Sequence, residues 1–135
     1  MKLLIIDDYF EIVETLSAAM EMSGHEVDKA YDGVEAINKL QNESYDVVIV
    51  DAEMPKIGGV EICRFLRLQF PEIYIIGTSG SCRALKNLKN AGADICLSKP
   101  FHIDAVEEII EHLYRNSTPR FNSAAFYCNN GFAVN

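Results

Sequence analysis

Basic charge is in short supply. Of 135 residues, twelve are Lys or Arg against twenty Asp or Glu, which leaves a formal charge of −8. Nucleic-acid phosphates and anionic lipid repel such a chain unless a local basic patch overrides the mean. Arg64, Arg67, Arg83, Lys86 and Lys89 are scattered among apolar and neutral residues, so no direct nucleic-acid partner is expected. Cysteine pairing is missing too. Cys63, Cys82, Cys96 and Cys128 form no CxxC pair and no metal-ligand spacing with the three histidines, so free thiols in a reducing cytoplasm are expected. Long hydrophobic runs are also absent. The first one, residues 3–6, stops at Asp7 and is far too short for a signal peptide or a membrane span. On that reading the sequons at Asn42-Glu43-Ser44 and Asn116-Ser117-Thr118 are chance matches. No internal repeat or low-complexity tract is visible.

What is present has ordinary globular balance, 49% hydrophobic and 24% charged. The length suits one domain, which buries roughly two-thirds of the surface its unfolded chain exposes. Two apolar patterns alternate along it. Short continuous runs, rich in Ile and Val, occur at residues 3–6, 47–50, 73–76 and 95–97, with a weaker one around Val27. Such runs fit strands buried on both faces. Between them apolar residues recur at helical spacing: Val13, Leu16 and Met20; Val34, Ile37 and Leu40; Val106, Ile109, Ile110 and Leu113. Punctuation agrees. Gly24 and Gly92 stand where helices should end, Asp32-Gly33 and Gly58-Gly59 where helices should begin. Asp104-Ala105-Val106-Glu107 reads as an N-cap and capping box for the last helix. Strand–helix repeated five times from 1 to 115 predicts a single α/β domain with a parallel sheet and helices on both faces. Residues 116–135 differ, with Asn, Ser, Thr and Pro interspersed by Phe121, Phe126, Tyr127 and Phe132. They are expected to form a C-terminal tail that docks on this domain or on a partner, too short for a second domain.

In open parallel sheets, functional groups gather beyond the carboxyl ends of the strands. Asp7 and Asp8 follow the first strand, Asp51 the third, Thr78 and Ser79 the fourth, Lys99 and Pro100 the fifth. Taken singly each has a plain explanation: an Asp that caps a helix, a loop carboxylate, a turn serine, a solvated surface lysine. Taken together, that account needs four coincidences on one sheet edge. Three carboxylates pressed together need compensating positive charge. A hard divalent cation with oxygen ligands supplies it, and few carboxylates suit Mg²⁺ better than a calcium cage. Lys99 adds a point charge for an anion, and Ser79 a hydrogen bond to it. The set suits a phosphoryl group held between metal and lysine, with a carboxylate as nucleophile.

At this point the chain resembles the receiver domain of two-component response regulators. The matching stretches are Ile6-Asp7-Asp8, Asp51-Ala52-Glu53-Met54-Pro55, Ile75-Ile76-Gly77-Thr78-Ser79-Gly80 and Gly92-Ala93-Asp94-Ile95-Cys96-Leu97-Ser98-Lys99-Pro100. Each is weak alone; all four in order are specific. The resemblance implies a flavodoxin-like fold, a five-stranded parallel sheet in order 2-1-3-4-5 with five flanking helices. It implies that Asp51 accepts a phosphoryl group from the phosphohistidine of a sensor histidine kinase or phosphotransfer protein. It further implies that Asp8, Asp51 and the backbone carbonyl of Glu53 ligate Mg²⁺, while Asp7 acts mainly through water. Lys99 would pair with Asp51 and then with the phosphoryl oxygens, Ser79 would bond the phosphate, and the Lys99–Pro100 bond would be cis. The protein would then be a signalling switch and not an enzyme, catalysing only transfer to its own Asp51 and its own dephosphorylation. Its output would be altered protein–protein contacts, a downstream target or a homodimer included.

Departures bear on that output. The family usually places Tyr or Phe near the middle of strand five, where its ring swings in as the strand-four hydroxyl engages phosphate. Cys96 stands there, a small thiol with no ring to reorient. Glu53 lies where the family tunes acyl-phosphate lifetime. Two other readings compete. A receiver-like interaction module would act without phosphorylation, and partner affinity indifferent to phosphoryl mimics would favour it. A phosphatase of the haloacid-dehalogenase type needs Asp-x-Asp after strand one, which Asp7-Asp8-Tyr9 breaks.

Overall fold

The computed structural model describes residues 1–116 together with the backbone of Ala125–Tyr127 and Ala133–Val134. Strands and helices alternate: β1 Lys2–Ile6, α1 Phe10–Met22, β2 Glu26–Ala30, α2 Gly33–Asn42, β3 Val47–Asp51, α3 Gly59–Gln69, β4 Tyr74–Ser79, α4 Cys82–Ala91, β5 Ile95–Ser98 and α5 Ile103–Asn116. The strands from β1 to β5 pair in parallel in the order β2-β1-β3-β4-β5, as the sequence predicts. Two short strands, β6 (Ala125–Tyr127) and β7 (Ala133–Val134), continue the sheet past β5, β6 parallel to β5 and β7 antiparallel to β6. Sequence reading placed no strand there, because two or three residues are too few to show a period. Phe121, Cys128 and Phe132 lie outside the described residues.

The sheet is the core because its central strands send alternate side chains to opposite faces. Leu4, Ile6, Val48, Val50, Ile75 and Cys96 point to the face covered by α2, α3 and α4, meeting Ala36, Leu40, Ile62, Leu66 and Leu88. Leu3, Ile5, Val47, Ile49, Ile76 and Leu97 point to the other, where Val13, Leu16 and Met20 of α1 meet Val106, Ile109, Ile110 and Leu113 of α5. β2 is the outer strand and only partly buried, which is why its apolar signal is weak.

Caps set the boundaries. The Asp32 side chain accepts from the Glu35 amide at 2.8 Å, and Glu35 accepts in return from the Tyr31 amide at 3.1 Å, a reciprocal box that starts α2. α4 ends at Gly92, whose φ of +116° is the left-handed region that glycine enters without a Cβ clash. The capping box expected at Asp104 is not where α5 starts. An N-cap at Asp104 would start the helix at Ala105; it begins two residues earlier, at Ile103, and Asp104 sits inside its first turn, where negative charge suits the dipole. α1 starts after Tyr9, which makes no side-chain capping bond, so neither Asp7 nor Asp8 is its N-cap.

Candidate functional site

The strand order reverses between β1 and β3, and sheets of this kind place their functional groups beyond the carboxyl ends at that point. Two strands reach further towards that edge than their apolar runs suggest. β3 includes Asp51 and β4 runs through Thr78 and Ser79, because ladder pairing continues past the hydrophobic residues: Asp51 is in register with Thr78, and Ser79 with Ser98. The chemistry-bearing side chains are thus held by sheet backbone rather than by loops. Gly59 completes the support. A Cβ there would lie 2.2 Å from the Asp51 carbonyl oxygen, so only glycine lets α3 begin directly against the end of β3.

Asp7, Asp8, Asp51 and Lys99 come together at this edge, while the Ser79 and Glu53 side chains pair with each other. Carboxylate oxygens of Asp7, Asp8 and Asp51 lie within 4.8 Å of one another, Asp7 and Asp51 buried and Asp8 exposed. Lys99 Nζ lies 2.9 Å from Asp7 Oδ2 and 3.1 Å from Asp51 Oδ1. It is neither a free surface lysine nor a partner of Asp51 alone. The Lys99–Pro100 bond is cis, and the Lys99 amide donates to the Ser79 carbonyl at 2.8 Å. Asp7 Oδ1 accepts from the Tyr9 amide at 2.9 Å. Ser79 is fully buried. Its hydroxyl donates to Glu53 Oε1 and accepts from the Ser81 amide at 3.0 Å. That Glu53–Ser79 bond was not foreseen, since the two residues are 26 apart in sequence and no local pattern links them.

Burial and charge oppose each other at Asp51. Burial raises its pKa, the neighbouring Asp7 charge raises it further, and Lys99 pulls it back, for a net value of about 6. Burial alone would lower the pKa of Lys99, but the hydrogen bond to Asp7 and the charges of Asp51 and Asp7 outweigh it, and the net shift is upward. Asp51 Oδ1 is buried and accepts no hydrogen bond, despite the nearby ammonium. A buried carboxylate oxygen held only by an ion pair with Lys99, beside two further carboxylates, is a donor set that fits a small hard cation. The described cysteines are free. Burial pushes the thiols of Cys63 and Cys96 up to about 12, so both behave as buried hydrophobes and not as nucleophiles.

A doubly wound parallel sheet in the order 2-1-3-4-5, with an acid cluster and a lysine at its switch point, defines an α/β domain of the flavodoxin-like class. The family model for the response regulator receiver domain matches residues 3–111. The chain belongs to that family, whose members are signalling domains. It is 36% identical to the transcriptional regulatory protein CpxR homolog of Haemophilus influenzae over 124 residues, 90% of this chain and 54% of that protein. Among solved structures, the receiver domain of Francisella response regulator 1452 superposes with a TM-score of 0.79 at 29% identity, covering 87% of this chain and 98% of that one. The response regulator TrrA of Thermotoga maritima, solved in complex with Mg(2+)-BeF, gives 0.76 at 32% identity over 83% of this chain and 97% of that one. The chain spans about half, or less, of the length of the curated relatives it matches. No described helix is long and apolar enough to cross a membrane.

Proposed function

We propose that this protein is a cytoplasmic phospho-accepting switch, in which Asp51 takes a phosphoryl group from the phosphohistidine of a sensor kinase or phosphotransfer protein. The observation that carries the reading is the buried Asp51 oxygen without a hydrogen bond, beside Lys99 and in reach of two more carboxylates. Above pH 6 or so Asp51 is ionised and can attack phosphorus. The donor's P–N bond breaks as the P–O bond to Asp51 forms, and the imidazole leaves with the electron pair. Lys99 balances charge on the transferred oxygens, and the Ser79 hydroxyl donates to one of them. Asp8, Asp51 and the Glu53 backbone carbonyl would hold Mg²⁺, with Asp7 acting through water. When bound, that ion offsets the repulsion between carboxylate and phosphoryl charge. Hydrolysis of the acyl phosphate returns the free aspartate, so the chemistry begins and ends on this chain.

Residues 1–115 form the unit that carries this activity, and 116–135 an appended tail. A mainly apolar cleft between α1 and the β5–α5 loop, lined by Tyr9, Ile12, Leu16, Phe101 and Ile103 with Glu11 and Thr15, offers a protein donor a surface. The test is direct. Incubation with Mg²⁺ and acetyl phosphate, followed by intact mass measurement, should show one phosphate adduct on wild type and none on Asp51→Asn. An equal adduct on both, or none on wild type, overturns the reading.

A further inference from the structure

The Ser79 hydroxyl has one proton to give, and Glu53 already holds it. One of its lone pairs is engaged too, by the Ser81 amide. A phosphoryl oxygen arriving on Asp51 therefore meets a hydroxyl committed elsewhere, and two acceptors compete for one donor. The competition is uneven. Glu53 is exposed and regains water when it lets go, whereas a phosphoryl oxygen facing the buried Ser79 hydroxyl is costly to leave unpaired. Like charge acts in the same direction. The Glu53 carboxylate already opposes ionisation of Asp51 from where it stands, and a phosphoryl dianion in the same place would repel it more strongly.

We infer that Glu53 is a latch on Ser79, that phosphorylation of Asp51 transfers the Ser79 hydrogen bond from Glu53 to the phosphoryl group, and that the released β3–α3 loop is a moving part of the switch. The inference rests on Asp51 being the phospho-acceptor and adds how its state is reported.

The loop is built for such a release. Both ends are fastened: the Ala52 amide donates to the Thr78 carbonyl at 2.9 Å, and the Gly59 amide to the Ala52 carbonyl at 3.2 Å. Residues 53–58 between them are exposed or half-buried. Lys56 holds a φ of +69°, a left-handed conformation uncommon for a residue with a side chain. The Glu53–Ser79 bond ties the start of this segment across to β4. Loosening that tie frees the segment while Asp51 and α3 stay in place.

Beryllofluoride with Mg²⁺ serves as the probe, its affinity measured on wild type, Glu53→Ala, Ser79→Ala and the double variant. Removing the competitor should tighten binding by about tenfold when Ser79 is present, the scale of one charge-assisted hydrogen bond. In the Ser79→Ala background the gain should shrink to about twofold, the part due to charge alone. Glu53→Gln, which keeps an acceptor without the charge, should fall between wild type and Glu53→Ala. Amide exchange provides the second readout. Beryllofluoride should speed exchange at 53–58 in wild type relative to β5, and Glu53→Ala should exchange fast there without it. Equal tightening in both Ser79 backgrounds, weaker binding by Glu53→Ala, or a loop indifferent to Glu53 overturns the latch and leaves Asp51 as acceptor. A wild-type protein that takes up no beryllofluoride overturns both.

Discussion

Two carboxylates, Asp51 and Asp94, are buried to nearly the same degree, at 3% and 5% exposure, and each stands beside a cation. They end in opposite conditions. Asp94 Oδ2 accepts from Arg67 Nη2 and from the Ile75 amide at 2.8 Å. Arg67 spends its other donors on the carbonyls of Gly92 at 2.7 Å and Ile73 at 2.8 Å. This cluster fastens α3 to the start of β4 and to the turn before β5. Asp51 meets an ammonium shared with Asp7, and one of its oxygens accepts no hydrogen bond. A planar guanidinium satisfies several acceptors at once, while an ammonium acts as a point charge. The difference separates a buried charge that holds the fold from one left with a shared point charge as its partner.

The strongest way to break this comparison is to remove the satisfied cation. Arg67→Met leaves Asp94 buried and strips three carbonyls and one carboxylate of a donor, so it should lose about 3–5 kcal/mol in urea unfolding. A loss under about 1 kcal/mol would put the Arg67 cluster among ordinary surface pairs. At the other site the sign reverses. The folded pKa of Asp51, about 6, lies above its ordinary value of 3.8, so the fold prefers the neutral acid. That preference is fully present below pH 3.8 or so, and it is lost as pH rises through about 6. Metal-free Asp51→Asn should therefore be more stable than wild type by about 1–3 kcal/mol at pH 7.5, with the gap closing towards pH 4. Thermal unfolding across that range checks it, and a destabilised variant would show that Lys99 had satisfied Asp51 after all. The smallest effect sharpens the same point. Mg²⁺ at ten times its Kd should stabilise wild type by about 1.4 kcal/mol and Asp51→Asn by clearly less, reversibly on chelation.

Much of this was legible before any coordinates. The four apolar runs gave the central strands, and Asp32, Gly58 and Gly92 marked three helix ends, because caps and periods are local and need no knowledge of the fold. Asp7, Asp8, Asp51, Ser79 and Lys99 were legible through one topological rule about strand ends. Other features were not. Asp94 stood in the sequence only as one residue of the matching stretch 92–100, and its partner Arg67, on another element, gave no hint of their pairing. Cys96 was legible as a buried thiol, since a small apolar-tolerant residue inside a strand run has little else to be. Strands β6 and β7 had no periodic signal to betray them.

By itself, then, the order of residues determined the alternation of elements, the parallel sheet and the gathering of acids and lysine at one edge. Those follow from interactions within a few residues and from the pairing rules of buried strands. Only tertiary structure decided which buried carboxylate is satisfied and which is left open, and that Glu53 holds Ser79. The deciding bonds join residues 26, 27 and 92 positions apart. A hydrogen bond depends on tenths of an ångström and on direction, and neither exists for such pairs until the chain has closed around them.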